Sequence, residues 1–306
     1  MDKYFYKMKD KDSFDDHLLL SSSALKMTKT MNSFGTFKFM SRGGEIISAK
    51  RWNISAIDDY KADEVYHVKG VVEVYNGVLS LVISSIEPSE VNSDQFPREN
   101  PFTTDELKKE FKRYYCSIGS LNLAKVIEFT LNKLDTYFES KAAKNIHHDF
   151  KGGLAYHSLT MAYSADALSR RYDVDRDLLI TAAILHDAGK TIELDNDGYT
   201  KEGILYGHII IMNDILSEAI FTHKELADAP EIAHLKHILL SHHGRLEWGS
   251  PVLGATPEAI LFHHIDKIDA DMQIAKTELA KVNPGTPTPR IWALDNRVLY
   301  NIEKYK

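Results

Sequence analysis

The chain has 306 residues, 43% of them hydrophobic and 26% charged, with a formal net charge of −7, which excludes disorder and collagen-like repeats and allows one large domain or two ordinary ones. Its single cysteine, Cys116, excludes an internal disulfide and a thiolate metal cage, so any metal site has to be made of imidazole and carboxylate. The opening MDKYFYKMKDKDSF lacks the apolar stretch of a signal peptide and no later run approaches about 18 apolar residues, so the expectation is a soluble, cytoplasmic protein with no membrane partner.

In chain order, short apolar runs at 17–25, 34–40, 45–52, 65–75 and 78–86 predict strands, with a turn at Arg42-Gly43-Gly44 and a two-residue hairpin at Asn76-Gly77. Five short strands with tight turns form a small barrel or sandwich. Residues 24–52 carry six basic groups against one acid, Glu45, a local basic patch in a chain whose overall charge repels nucleic acid. The stretch from Pro88 to Pro101 is polar and has three prolines, which marks a linker. Helices are expected from about 103 to 140 and then at 178–185, 205–216, 232–239 and 260–268, where apolar residues recur three and four apart. Thr256-Pro257-Glu258 is a helix start. The division is therefore 1–87 strand-rich, 88–102 linker and 103–306 helical: an α+β chain of two domains.

The helical part is acidic, with 9 basic and 19 acidic residues over 153–272, and 12 of the 14 histidines fall between His147 and His264. His157, His186-Asp187, His208, His242-His243 and Asp266 lie on five separate helical segments. Histidine and aspartate inside apolar helices are costly to bury unless something satisfies them, and a divalent cation does so while offsetting the acidic excess. Neighbours on a helix point about 100° apart, so His186-Asp187 can share one cavity only at a helix end; Gly189 is placed to end that helix, as Gly244 is for His242-His243. Asp187 could then bridge two ions. Nitrogen and oxygen ligands suit Mn²⁺, Fe or Zn²⁺. His223, His234 and His237 read as surface residues without a partnering acid, His263 as a supporting group or substitute ligand, and Asp269 as the second choice should Asp266 not serve.

The motifs GGLAYH, LHDAGK, YGHI, ILLSHHGRLEWGSP and HHIDKIDA, in that order, resemble the HD-domain metal-dependent phosphohydrolases and, more closely, the YhaM-type 3′-to-5′ exoribonucleases, in which an OB-fold precedes an HD domain. The resemblance implies a five-stranded OB-fold barrel followed by an all-α HD domain. It also implies two divalent ions held by His157, His186, Asp187, His208, His242, His243 and Asp266, with Asp187 as bridge and Lys190 on substrate phosphate. His147 and His148 resemble a junction segment of the family and stay outside the ligand set.

The reaction implied is hydrolysis of the terminal phosphodiester of single-stranded RNA, or DNA, to nucleoside 5′-monophosphates, in which paired cations activate water and stabilise charge on phosphate. Its direction, 3′ to 5′, follows from the resemblance. Single-strand binding by a barrel needs cations along the backbone path and aromatic faces for stacking. Lys38, Arg42, Lys50 and Arg51 fit the first need and Phe34 the second, while Phe37 and Phe39 are expected in the core. Two other readings are a nucleotide or cyclic-dinucleotide phosphohydrolase with a regulatory barrel, and a single-strand-binding replication or repair accessory. A homo-oligomer is compatible with each.

Overall fold

The computed structural model describes residues 5–28, 32–57, 59–75, 78–96, 100–142, 150–195, 198–282 and 284–302. Asn76-Gly77, His147 and His148 lie outside them. The chain forms two compact units, Met1–Pro101 with Met272–Lys306, and Phe102–Asp271.

In the first unit, β1 (Ser13–Met27), β2 (Ser33–Met40), β3 (Ile46–Trp52), β4 (Val65–Tyr75) and β5 (Val78–Pro88) close a barrel in the order β1-β2-β3-β5-β4. All pairings are antiparallel except β3 with β5, an OB-like connection. Alternation decides which side chains fill it: Phe37 and Phe39 of β2, Ile47 and Ala49 of β3, and Tyr66 and Val68 of β4 are buried together. β1 runs longer than the apolar run at 17–25 because it serves two partners: Ser13–Leu19 pair with β4 and Leu19–Met27 with β2, the second pairing interrupted by a bulge at Leu20/Ser22. Closure also depends on Gly70, where a Cβ would stand 2.3 Å from the Val82 carbonyl oxygen. The turn after β2 ends in Gly44 at φ +79°, next to buried Glu45, whose carboxylate accepts from Ser41 Oγ at 3.0 Å.

The sequence assigns 103–306 to the helical domain, whereas the packing groups 272–306 with the barrel. Ala280 packs on Leu19, Met40, Ile46, Val65 and Phe96, and Ile274, Ile291 and Leu294 make a small cluster of their own. Apolar residues in this tail carry no periodicity that would reveal which unit they cover.

The helical elements are α1 (Thr104–Tyr115), α2 (Leu121–Lys133), α3 (Gly153–Ser169), α4 (Arg176–Leu185), α5 (Lys190–Glu193), α6 (Lys201–Thr222), α7 (Pro230–Ser241) and α8 (Pro257–Leu279). Their starts are chemically marked. Thr103 and Glu106 form a reciprocal capping box, Asp175 accepts from Leu178 N, Thr200 from Gly203 N and Thr256 from Ala259 N. Every residue of α4 from Leu178 to Leu185 is buried. α4 is therefore the central helix of its unit, and the chain leaves its end inside the protein.

By length and composition α6 is the one described helix apolar enough to cross a membrane. Gly207, at φ +71° and ψ 158°, breaks it, and the stretch after the break buries Ile209, Ile211, Met212 and Ile215 in the unit's interior. Other apolar side chains of the helix stay exposed, at Ile204, Leu205, Tyr206 and Phe221.

Candidate metal centre

His186 and Asp187 follow the last residue of buried α4, so both side chains enter the interior. α3 brings His157, the second stretch of α6 His208, the end of α7 His242 and His243, and α8 Asp266. His157, His186, His208 and His242 are buried, as is Asp187. The structure thus gathers all seven residues expected as ligands from five segments. Asp187 sits at the middle. Its Oδ2 lies 3.3 Å from His186 Nε2 and 3.7 Å from His157 Nε2. Its Oδ1 lies 3.3 Å from His208 Nε2 and 3.9 Å from His242 Nε2. Asp266 Oδ1 is 3.3 Å from His157 Nε2. Two groups of donors result, His157, His186 and Asp187 in one and His208, His242 and His243 in the other, and within each the ligand atoms lie within 4.8 Å of one another.

The five rings are held the same way round. Nδ1 of His186, His242 and His243 donates to the carbonyls of Ala183 (3.2 Å), Leu239 (2.8 Å) and Trp248 (2.7 Å). A carbonyl only accepts, so the proton is on Nδ1 and Nε2 keeps its lone pair. In the remaining two rings the acceptor is a carboxylate: Asp269 for His157 at 2.7 Å, and Glu193 for His208 at 3.1 Å. Buried Nε2 atoms of His208 and His242 have no hydrogen-bond partner. Orphaned, inward-facing imidazole nitrogens around a carboxylate fit a divalent cation.

The electrostatics divide the rings: His242 and His243 are held neutral, whereas His157 is held protonated between two carboxylates, and a cation would have to displace its Nε2 proton. Burial, reinforced by the nearby His186 and His243, pushes His242 well below the usual imidazole range. Burial does the same for His243, with His208 adding to it, so both are neutral and ready to donate. Burial opposes charge on His157, but its hydrogen bonds to Asp266 and Asp269 outweigh that and lift it to about 10. Asp187 is held well below the carboxylate range against its burial, by Lys190 and His186 first.

Gly189, expected to end the helix of His186-Asp187, instead caps the start of the next one. Its φ is −59° and it begins α5; α4 stops at Leu185. Glycine is needed there because a Cβ would stand 2.2 Å from the His208 carbonyl oxygen, so the turn and α6 could not meet. Gly244 does take the left-handed conformation, φ +74°. Lys190 donates to Asp187 Oδ2 at 2.7 Å. Asp269 stands behind His157, on Nδ1, and His263 Nδ1 donates to the His242 carbonyl at 3.0 Å, so both support ligand-bearing groups. His264 is exposed.

The expectation that His223, His234 and His237 are surface residues without a partnering acid is corrected for His234, which has one. All three are half-buried. His234 Nε2 lies 3.3 Å from Glu258 and 2.9 Å from Thr256 Oγ1, His237 accepts from Ala255 N, and His223 packs edge-on to Phe129. The acid that pairs with His234 is 24 positions away in sequence, so no local pattern reveals it. Glu193 was missed for a related reason. It is an acid between Ile192 and Leu194, and that apolar company was the one available signal.

On the barrel, the β2–β3 register sets Phe34 opposite Trp52, Thr36 opposite Lys50 and Lys38 opposite Ser48. These residues share the outer face. Phe34 and Trp52 rings are 5.0 Å apart. Arg51, opposite Gly35, has the parity of the inward residues and donates to Tyr60 OH at 2.6 Å, and the Arg42 guanidinium lies 5.5 Å from the Phe96 ring. Phe37 and Phe39 are in the core, as expected.

An OB-like barrel and a helical unit built around this His/Asp cluster define a metal-dependent hydrolase of the HD-domain class, and residues 154–271 match the HD domain family. Over nearly its whole length the chain is similar to proteins named 3′-5′ exoribonuclease YhaM. It is 36% identical over 307 residues to that of Shouchella clausii, covering 96% of this chain and 95% of the relative, and 36% identical over 301 residues to that of Bacillus subtilis, covering 94% and 95%. With that of Listeria monocytogenes it shares 33% identity over 313 residues, 98% of this chain and 99% of the relative. The chain belongs to the YhaM family.

Proposed function

We propose that this protein degrades single-stranded RNA stepwise from the 3′ end, releasing nucleoside 5′-monophosphates, with two divalent ions, Mn²⁺ first among them, in the helical unit. The observation that carries the two-ion reading is Asp187, whose two oxygens face different donor groups. When bound, the ions supply a lowered water pKa and charge neutralisation on the phosphodiester. His157, His186, Asp187 and Asp266 would hold one ion, and His208, His242 and His243 the other, with Asp187 shared. Lys190, drawn to Asp187 and kept protonated by it against its burial, orients that carboxylate and offers its charge to the phosphate. RNA as substrate rests on the names of the relatives. Lys38, Lys50, Phe34 and Trp52 form the strand path on the barrel, with Arg42 at its rim.

Digestion of 5′-labelled single-stranded RNA and DNA, with Mn²⁺ added or chelated, tests this. The expected ladder shortens from the unlabelled end and vanishes on chelation. Asp187→Ala is expected to abolish hydrolysis and lower the metal content measured by emission spectroscopy; full activity with normal metal loading would overturn the reading. Turnover of free nucleotides or cyclic dinucleotides in place of strands would favour the phosphohydrolase alternative.

A further inference from the structure

Four of the five imidazoles are buried and His243 is half-buried, so among the rings His243 is the one that reaches the surface. The chain that follows is tightly fixed. Gly244 presses on His263, where a Cβ would stand 2.4 Å from the ring. Arg245 O accepts from both Trp248 N and Ser250 N. Gly249 turns the chain back at φ +88°, and Ser250 Oγ donates to the Leu240 carbonyl at 3.3 Å. His243 Nδ1 binds the Trp248 carbonyl. A loop this constrained, joined to a ring that reaches the surface, nonetheless leaves its indole 42% exposed. The Arg245 guanidinium lies over one face of that ring, 4.7 Å from its centroid, which leaves the other face for a ligand.

An exposed aromatic face costs little entropy on binding when its backbone is already fixed, and an indole beside a guanidinium is the surface on which a nucleobase stacks. Single exposed apolar residues are ordinary. What distinguishes Trp248 is the covalent and hydrogen-bonded link to His243: a phosphate drawn to the imidazole cluster would bring its attached base to this ring.

We infer that Trp248, extended by Arg245, is the binding surface for the base of the terminal nucleotide. The inference rests on the reading of the site as a hydrolase of nucleotide chains and names the group it grips. Stacking, worth about 1–3 kcal/mol per base, makes the surface tolerant of sequence and selective for a base over none.

The test is calorimetric titration of the metal-loaded protein with AMP and with ribose 5-phosphate, which differ by the base. The unsubstituted protein is expected to prefer AMP by about 10–100-fold. Trp248→Ala should remove the preference, Trp248→Phe should keep most of it, and Arg245→Ala should reduce it partly. His243 is held by the Trp248 backbone, so metal content in the variants is expected to stay at the unsubstituted level. Should Trp248→Ala lose metal, Trp248→Leu against Trp248→Phe makes the same comparison with side-chain bulk retained. No preference in the unsubstituted protein, or a preference that survives loss of the ring, overturns the inference. Failure of the unsubstituted protein to shorten RNA would count against the hydrolase reading, and the binding ratio would still report on the surface.

Discussion

Glu193 shows how much a single side chain can carry without being a ligand. Its carboxylate accepts from His208 Nδ1 and, at 3.1 Å, from the His208 backbone N–H, which the break at Gly207 has left without a helical partner. One group thus caps the second stretch of α6 and turns the His208 ring. Burial raises the Glu193 carboxyl, but the His208 hydrogen bond outweighs it and keeps the acid below its ordinary range, so it is ionised at neutral pH. If the proposed pair of ions is bound, Glu193→Ala is expected to weaken binding of one by about 10–100-fold and leave the other bound, with Glu193→Gln intermediate because it still accepts. Metal stoichiometry and titration read this directly. A variant that is less stable yet binds both ions normally would give Glu193 a purely structural role.

At the scale of elements, the centre depends on how closely the turn after α4 approaches α6. Gly189→Ala would set a Cβ against the His208 carbonyl, and the two segments would have to separate. A loss of about 1–3 kcal/mol in urea-unfolding stability is expected, together with weaker metal binding, since His208 moves with its own carbonyl. On the barrel, the pairing of β2 with β3 separates two cations that the sequence treats alike. Lys50 is on the outer face and Arg51 faces the end of the core, where it holds Tyr60. Lys38→Ala with Lys50→Ala should therefore weaken single-strand binding and flatten the salt dependence by about 1.4 in log–log slope, about 0.7 for each phosphate that is no longer neutralised. Arg51→Ala is expected to act on barrel stability instead.

For the whole molecule, the unlike charge of the two parts has a consequence. The basic stretch at 24–52 and the acidic stretch at 153–272 would act on a nucleic-acid strand in opposite senses, and cations in the centre would offset part of the acidic charge. Metal binding also stabilises the helical unit, because the donors converge only in the folded state. Thermal unfolding after chelation and again with Mn²⁺ at about 100 times its dissociation constant should differ by roughly 5–10 °C. The difference should shrink as pH falls and the imidazoles protonate. An unchanged midpoint would mean that no ion is held by these donors.

Strand and helix positions were legible in the sequence because they rest on local rules: alternation along 34–40 and 65–75, apolar spacing of three and four in α4 and α7, and the Thr256-Pro257 start of α8. The side chains that converge in the cluster were legible too, since histidine and aspartate in apolar surroundings stand out residue by residue. What local pattern does not contain is which groups meet from afar. The carboxylates behind His157 and His208, the acid beside His234, the inward turn of Arg51 and the grouping of 272–306 with the barrel all follow from contacts between distant segments. So does the reason for Gly189, which is set by the backbone of α6 and not by the helix it follows. Local chemistry named the donors, and tertiary packing decided which nitrogen of each ring points inward.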